Sequence, residues 1–79
     1  MKVQVLFFGA TAEAVGERKI EVDLPEQTRS RQAFDEIIEK FPQLKQHSLL
    51  FAINQEYVSN DAVINSGDEL AIFTAVSGG

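Results

Sequence analysis

The sequence predicts an α+β fold, a sheet of about four to five strands with one main helix packed on one face. Three observations carry this. Two alternating apolar segments stand before a single amphipathic stretch, and three further apolar runs follow it. The resulting order, strand, strand, helix, strand, short strand, strand, sets a hairpin ahead of the helix and the rest of the sheet behind it. Finally, Phe34, Ile37, Ile38 and Phe41 fall at helical spacing, so the helix has one apolar stripe, and that stripe needs a sheet to cover.

Lys2 to Phe8 opens as an alternation and ends as a continuous apolar run, the mark of a central strand. Val3, Val5 and Phe7 share one face by the two-residue period, and Gln4, Leu6 and Phe8 share the other. Gly9 to Gly16 is rich in small residues and predicts a brief helical turn through Thr11 to Ala14. Arg18 to Leu24 alternates again, with Ile20, Val22 and Leu24 inward and Lys19, Glu21 and Asp23 outward. Pro25 closes that strand because it cannot donate to a ladder.

Thr28 or Ser30 is placed to cap the helix. Phe41-Pro42 ends it, since the residue before proline is pushed out of the helical region. Leu49 to Ile53 predicts a third strand, Asn54 to Glu56 a turn, and Tyr57-Val58 a short return strand. Asn60 to Asn65 reads as irregular, with a helical turn at Ala62-Val63. Ser66 to Asp68 is a turn in which Gly67 supplies a positive φ. Glu69 to Val76 is the last strand. The helical stripe then covers Val3, Val5, Ile20, Val22 and Ile72.

The length of 79 residues predicts one domain, residues 1–79, with a flexible tail from about residue 75. The chain holds no cysteine, which excludes disulfides, zinc-thiolate sites, iron–sulfur clusters and a cysteine nucleophile. Lys and Arg number 7 against 12 Asp and Glu, and the net charge of −5 repels phosphate backbones, so nucleic acid is not an expected partner. There is no leader, no long apolar run and no basic amphipathic helix, so a soluble cytoplasmic protein without a membrane site is expected. The acidic surface suits a basic protein partner and serves solubility equally well. His47, the sole histidine, lies in the polar stretch Gln43 to Ser48 with no acid–base partner in sight, and reads as a surface residue. No metal site and no side-chain active site are expected.

Two features remain after the core is assigned. The first is the terminal Val76-Ser77-Gly78-Gly79. Without Cβ atoms, Gly78 and Gly79 can lie extended in a slot too narrow for other residues, with the Gly79 carboxylate unhindered. Taken alone, this fits a reacting C-terminus or a frayed end equally well. The second is aromatic. Parity sends Phe8 and Phe73 to the outer face of the sheet, and Tyr57 on the return strand can join them. Such a patch is either a docking surface or a set of aromatics half-covered by loops. If it docks, Phe73 stands close enough to the terminus to aim the tail into the partner.

The chain resembles the MoaD-type sulfur carriers, the small subunits of molybdopterin synthase, within the ubiquitin-like β-grasp superfamily. The resemblance runs through Lys2-Val3 and Val5 to Gly9, Ala52 to Ser59, and Gly67 to Phe73, continuing into Val76 to Gly79. It implies a mixed β-grasp sheet. It also implies that an ATP-dependent activating enzyme adenylates the Gly79 carboxylate and that sulfur then replaces one oxygen to leave a thiocarboxylate. The tail, with Gly78 threading behind Gly79, would enter the large subunit of molybdopterin synthase and pass sulfur to the cyclic pyranopterin monophosphate precursor. Phe8, Tyr57, Phe73 and Val76 match the family's contact surface for its partners. No cofactor is implied on this chain itself, ATP being used by the activating partner, and the chain acts as a carrier without its own active site.

Two departures stand out. Thr74 and Ala75 replace the family's usual proline pair, which predicts a looser tail. Ala12 stands where the family often has arginine, so one ion pair to a partner is expected to be missing. Carriers for thiazole synthesis or tRNA thiolation would share this fold and tail. A ubiquitin-like modifier joined to lysines through Gly79, or a plain interaction module, are the other classes compatible with the residues.

Overall fold

The computed structural model describes residues 1–57 and 61–75. In chain order these form strand β1 (Lys2–Phe7), helix α1 (Ala10–Val15), β2 (Lys19–Asp23), helix α2 (Ser30–Lys40), a 3-10 helix (Pro42–Gln46), β3 (Leu49–Ile53), β4 (Glu56–Tyr57) and β5 (Glu69–Thr74). The sheet has five strands in the order β2-β1-β5-β3-β4. β1 and β5 are parallel, with Val5 opposite Leu70 and Phe7 opposite Ile72. The β1–β2, β5–β3 and β3–β4 pairs are antiparallel. This mixed sheet with a helix across one face is the β-grasp arrangement.

The inner face is built as the alternation predicts. Val3, Val5 and Phe7 from β1, Leu70 and Ile72 from β5, and Ala33, Phe34 and Ile37 from α2 are all buried. Phe34 lies on Phe51 of β3 with ring centroids 4.2 Å apart, and Phe41 meets Phe7 edge-on at 5.8 Å. Aromatic pairs in these geometries add to plain area burial. The fully buried stripe of α2 is Ser30, Ala33, Phe34 and Ile37, one turn nearer the N-terminus than the Phe34–Phe41 stripe of the sequence. Ile38 and Phe41 are only partly buried against the core. Leu44 of the 3-10 helix and Ile64 complete the interior.

The ends of the elements differ in instructive ways. β1 stops at Phe7, β2 spans Lys19–Asp23, and β5 stops at Thr74. Neither Thr28 nor Ser30 caps α2. Arg29 occupies the N-cap without a side-chain bond, while Thr28 donates its hydroxyl to the Pro25 carbonyl at 2.6 Å. The cap arrives from far along the chain: Asp61 Oδ1 accepts the Arg31 N–H at 2.9 Å and the Ser30 hydroxyl at 3.1 Å. Such acceptors satisfy helix N–H groups that have no partner inside the helix. The helical turn expected at Ala62-Val63 is absent for the same reason. Ala62 accepts the Ser30 N–H at 2.6 Å and donates to Ser30 Oγ at 2.9 Å, and Val63 bridges Arg29 in extended form. Asn54 and Gln55 both have positive φ, at 50° and 70°, a pair of values that suits a tight hairpin turn. Glu56 is therefore already in β4. Val58, the expected second residue of the return strand, lies outside the described residues.

Candidate functional site: the outer sheet face and the exit of β5

Register places Leu6 opposite Ala71, Ala71 opposite Ala52, and Ala52 opposite Tyr57. These residues share the face turned away from α2. One row further toward the end of β5, Phe73 pairs with Leu50. Tyr57 is 72% exposed and Leu50 37%, and the Tyr57 ring sits 5.7 Å from Phe73. Phe73 itself is partly buried. Ala52, among these larger neighbours, is 6% exposed. The centre of the patch is thus a small, shielded residue ringed by apolar side chains, three of them large.

Phe8, 50% exposed, lies just past the end of β1, so parity put it on the right side without its being in the strand. Its N–H reaches the Ile72 carbonyl at 3.3 Å, which sets it beside β5 one residue before Phe73. Among the described residues no ring pair joins Phe8 to Tyr57 or Phe73; the aromatic group is a pair and a neighbour. Thr11 holds this corner. Its buried hydroxyl accepts the Phe8 N–H at 3.0 Å and lies 2.7 Å from the Phe8 carbonyl and 2.8 Å from the Ile72 carbonyl. Leu50 and Thr11 were not singled out by the sequence. Leu50 sits in an apolar run whose two faces look alike, and its outward setting follows from pairing with Phe73. Thr11 looks like any small polar residue in a short turn.

At the other end of β5 the hairpin residues are locked together. Asn54 donates its amide to Asp68 Oδ1 and accepts the Glu69 N–H, both at 3.0 Å, and Asp68 Oδ2 accepts the Asn65 N–H at 2.8 Å. Gly67 has φ 86°, the positive value the turn requires. The Asn54 and Gly67-Asp68-Glu69 positions that carry the sequence resemblance therefore fasten the β3–β4 hairpin to the start of β5. They join the hairpin that carries Tyr57 to the strand that carries Phe73.

Val76, Gly78 and Gly79, the tail positions expected to thread and react, lie outside the described residues. Ala75, the last described residue, donates its N–H to the Ser48 carbonyl at 3.1 Å. A proline at that position could not make this bond. Ala75, where the resemblance leads one to expect proline, thus provides a donor that ties the strand exit to the residue before β3. Ala12 packs against the core.

The electrostatics are plain. His47 is partly exposed, at the end of the 3-10 helix. Asp61 is held below the usual carboxylate range, first by the Arg31 N–H and further by the Ser30 hydroxyl and Arg29, against a contribution from desolvation. Its 3.1 Å ion pair with Arg29 serves the helix end. Among the described residues no group of three or more His, Cys, Asp or Glu side chains could hold a metal ion, and no helix is long and apolar enough to cross a membrane.

Comparison with known proteins bears on this geometry. Residues 5–79 match the model of the ThiS family. The chain is similar to the molybdopterin synthase sulfur carrier subunit of Homo sapiens, 34% identical over 99% of this chain and 94% of the relative. It is also similar to that of Mycobacterium tuberculosis, 35% identical over 100% and 99%. Among solved structures it resembles a putative molybdopterin converting factor subunit 1 from Pyrococcus furiosus, with TM-score 0.86 and 28% identity over 96% of this chain and 99% of that one. SAMP1 of Haloferax volcanii superposes with TM-score 0.87 at 26% identity, each chain covered over 100%. With the family model matched over nearly the whole length and these relatives aligned end to end, the chain belongs to the ThiS family, in the company of the molybdopterin synthase sulfur carrier subunits.

Proposed function

We propose that this protein is the sulfur carrier subunit of a molybdopterin synthase, working through its C-terminal Gly79. The observation that carries the reading is the end-to-end likeness to carrier subunits of that name. The apolar surface around Tyr57 and Phe73 at the exit of β5 supports it. A carboxylate is a poor electrophile, so an ATP-dependent activating enzyme first joins Gly79 to AMP. A sulfur nucleophile then expels AMP and leaves a thiocarboxylate, which is soft and anionic near neutral pH, as a thiolate is. Phe8, Tyr57, Phe73 and Val76 dock on the large subunit, Gly78 lets the tail thread, and sulfur passes to the cyclic pyranopterin monophosphate. The acid and base groups for that transfer come from the partner. The site of action is the cytoplasm, and residues 1–79 act as one unit.

Incubation with the activating enzyme, ATP and a sulfur donor, followed by intact mass measurement, tests the chemistry. The expected result is replacement of one oxygen by sulfur, confined to the C-terminal peptide. Deleting Gly79, or adding one residue after it, is expected to abolish transfer while circular dichroism stays native; activity retained in either variant overturns the reading. Reconstitution with each candidate large subunit or synthase distinguishes molybdopterin formation from thiazole synthesis and tRNA thiolation. The likeness to SAMP1 favours one further reading, a modifier joined to lysine side chains, for which isopeptide-linked conjugates in cell extract are the readout.

A further inference from the structure

Thr11 is buried to 0% exposure, yet it is polar and lies outside the sheet. A hydroxyl in such a place costs free energy unless it is bonded, and here each of its partners belongs to the exit of the sheet. It accepts from the Phe8 N–H at 3.0 Å, and its one proton lies between the Phe8 carbonyl at 2.7 Å and the Ile72 carbonyl at 2.8 Å.

β1 pairs with β5 only as far as Phe7 and Ile72. Phe73 and Thr74 beyond them have a strand neighbour on one side alone, Leu50 and Leu49 of β3. The direct backbone contact that continues the β1 side, from the Phe8 N–H to the Ile72 carbonyl, is long at 3.3 Å. Among the described residues Thr11 makes the one side-chain hydrogen bond to β5 beyond Glu69. It therefore joins the backbone of Phe8 to that of Ile72, the residue that precedes Phe73. Gly9, with φ 56°, makes the sharp corner that brings α1 and Thr11 back beneath this junction.

We infer that Thr11 is a positioning residue for partner docking: its hydroxyl holds Phe8 and the exit of β5 in one geometry, so that the aromatic surface and the departing tail meet the large subunit together. This rests on the docking role proposed above for Phe8 and Phe73. The hydroxyl touches no reacting group, so its loss affects how tightly the partner is held and leaves the bound complex to react as before.

The test compares Thr11→Val, which keeps shape and removes the hydroxyl, with Thr11→Ser, which keeps the hydroxyl. Steady-state sulfur transfer is measured with each thiocarboxylated variant against the large subunit, well below its unfolding midpoint. A lost hydrogen bond of ordinary strength predicts a KM for the carrier raised about three- to tenfold in Thr11→Val, with kcat unchanged and KM restored within about twofold in Thr11→Ser. Phe8→Ala and Phe73→Asp are run alongside. If they raise KM and Thr11→Val does not, the positioning role is overturned and the docking surface stands. If they leave KM unchanged, the docking surface is overturned and the inference with it. A fall in kcat at unchanged KM in Thr11→Val also overturns it. Should Thr11→Val not fold, native-state hydrogen exchange of the unaltered protein decides. The Phe8 amide is expected to exchange as slowly as its β1 neighbours, and exchange at the rate of an open loop overturns the inference.

Discussion

The two faces of one sheet behave differently, and the outer face is itself divided. On the inner side Val5, Leu70, Ile72, Ala33 and Phe34 are closed off from water; β1 and β5 contribute by simple alternation, while Ile20 and Val22 of β2 and Phe51 and Ile53 of β3 are partly buried against them. On the outer side, the β1–β2 half carries Lys2, Gln4, Lys19, Glu21 and Asp23, with Lys2 and Glu21 paired at 3.7 Å and Leu6 at its border beside Ala71. The β5–β3–β4 half carries Ala71, Phe73, Leu50, Ala52 and Tyr57. A sheet covered on one side needs polar residues on the other. Half of this face obeys that rule and half does not, and the half that does not is the one from which the tail departs. Burial thus explains the inner face, while the outer face needs a second selective reason, which the docking proposed above would supply.

Substitutions on the two faces are expected to separate stability from binding. The largest effect is expected for Phe34→Ala on the inner side, which empties a site packed on Phe51 and costs about 3–5 kcal/mol of stability. The midpoint of a denaturant titration measures it, and a loss under about 1 kcal/mol would break the assignment of that face. Phe73→Asp on the outer apolar half is expected to weaken large-subunit binding by more than about 1 kcal/mol. Calorimetry checks this, and unchanged affinity would mean the apolar half has another cause.

Acid is expected to act at the far end of the core, through the α2 cap. Asp61 is depressed below its unfolded value, so its contribution is fully present above the ordinary carboxylate pKa. It is lost as pH falls through the lower folded value. Thermal melts of the unaltered chain and of Asp61→Asn between neutral and strongly acidic pH should therefore converge at the acid end. Curves that stay parallel would remove Asp61 from the cap. Smallest of all is Glu21→Ala in the outer polar half. Exposed ion pairs contribute little, so stability and binding should each stay within about 0.5 kcal/mol. A larger binding loss would extend the docking surface across the whole outer face.

Much of this was legible in the sequence because it depends on period. Alternation in Lys2–Phe7 and Glu69–Thr74 and the helical spacing of Phe34 and Ile37 each state which side of an element is apolar, and burial then has one solution. The outward setting of Phe73 was reachable by the same parity, while Tyr57 joins it through the β3–β4 pairing. The cap of α2 was not, because Thr28 and Ser30 both have the right chemistry locally, and the residue that satisfies the helix is Asp61, 30 positions beyond Arg31. Thr11 and Leu50 were hidden for a related reason: each takes its role from a strand neighbour on a distant segment.

The sequence by itself determined the α+β class, the inward faces of β1 and β5, the single main helix, the positive φ at Gly67 and the choice of outer residues at β5, because these follow from side-chain period and backbone sterics within one segment. Tertiary structure alone decided the parallel union of β1 with β5, the Asp61 cap, the Asn54–Asp68 lock and the Thr11 bond that joins Phe8 to Ile72. Those are hydrogen bonds between groups far apart in the chain, and a polar side chain carries no local mark of which distant backbone group it will meet.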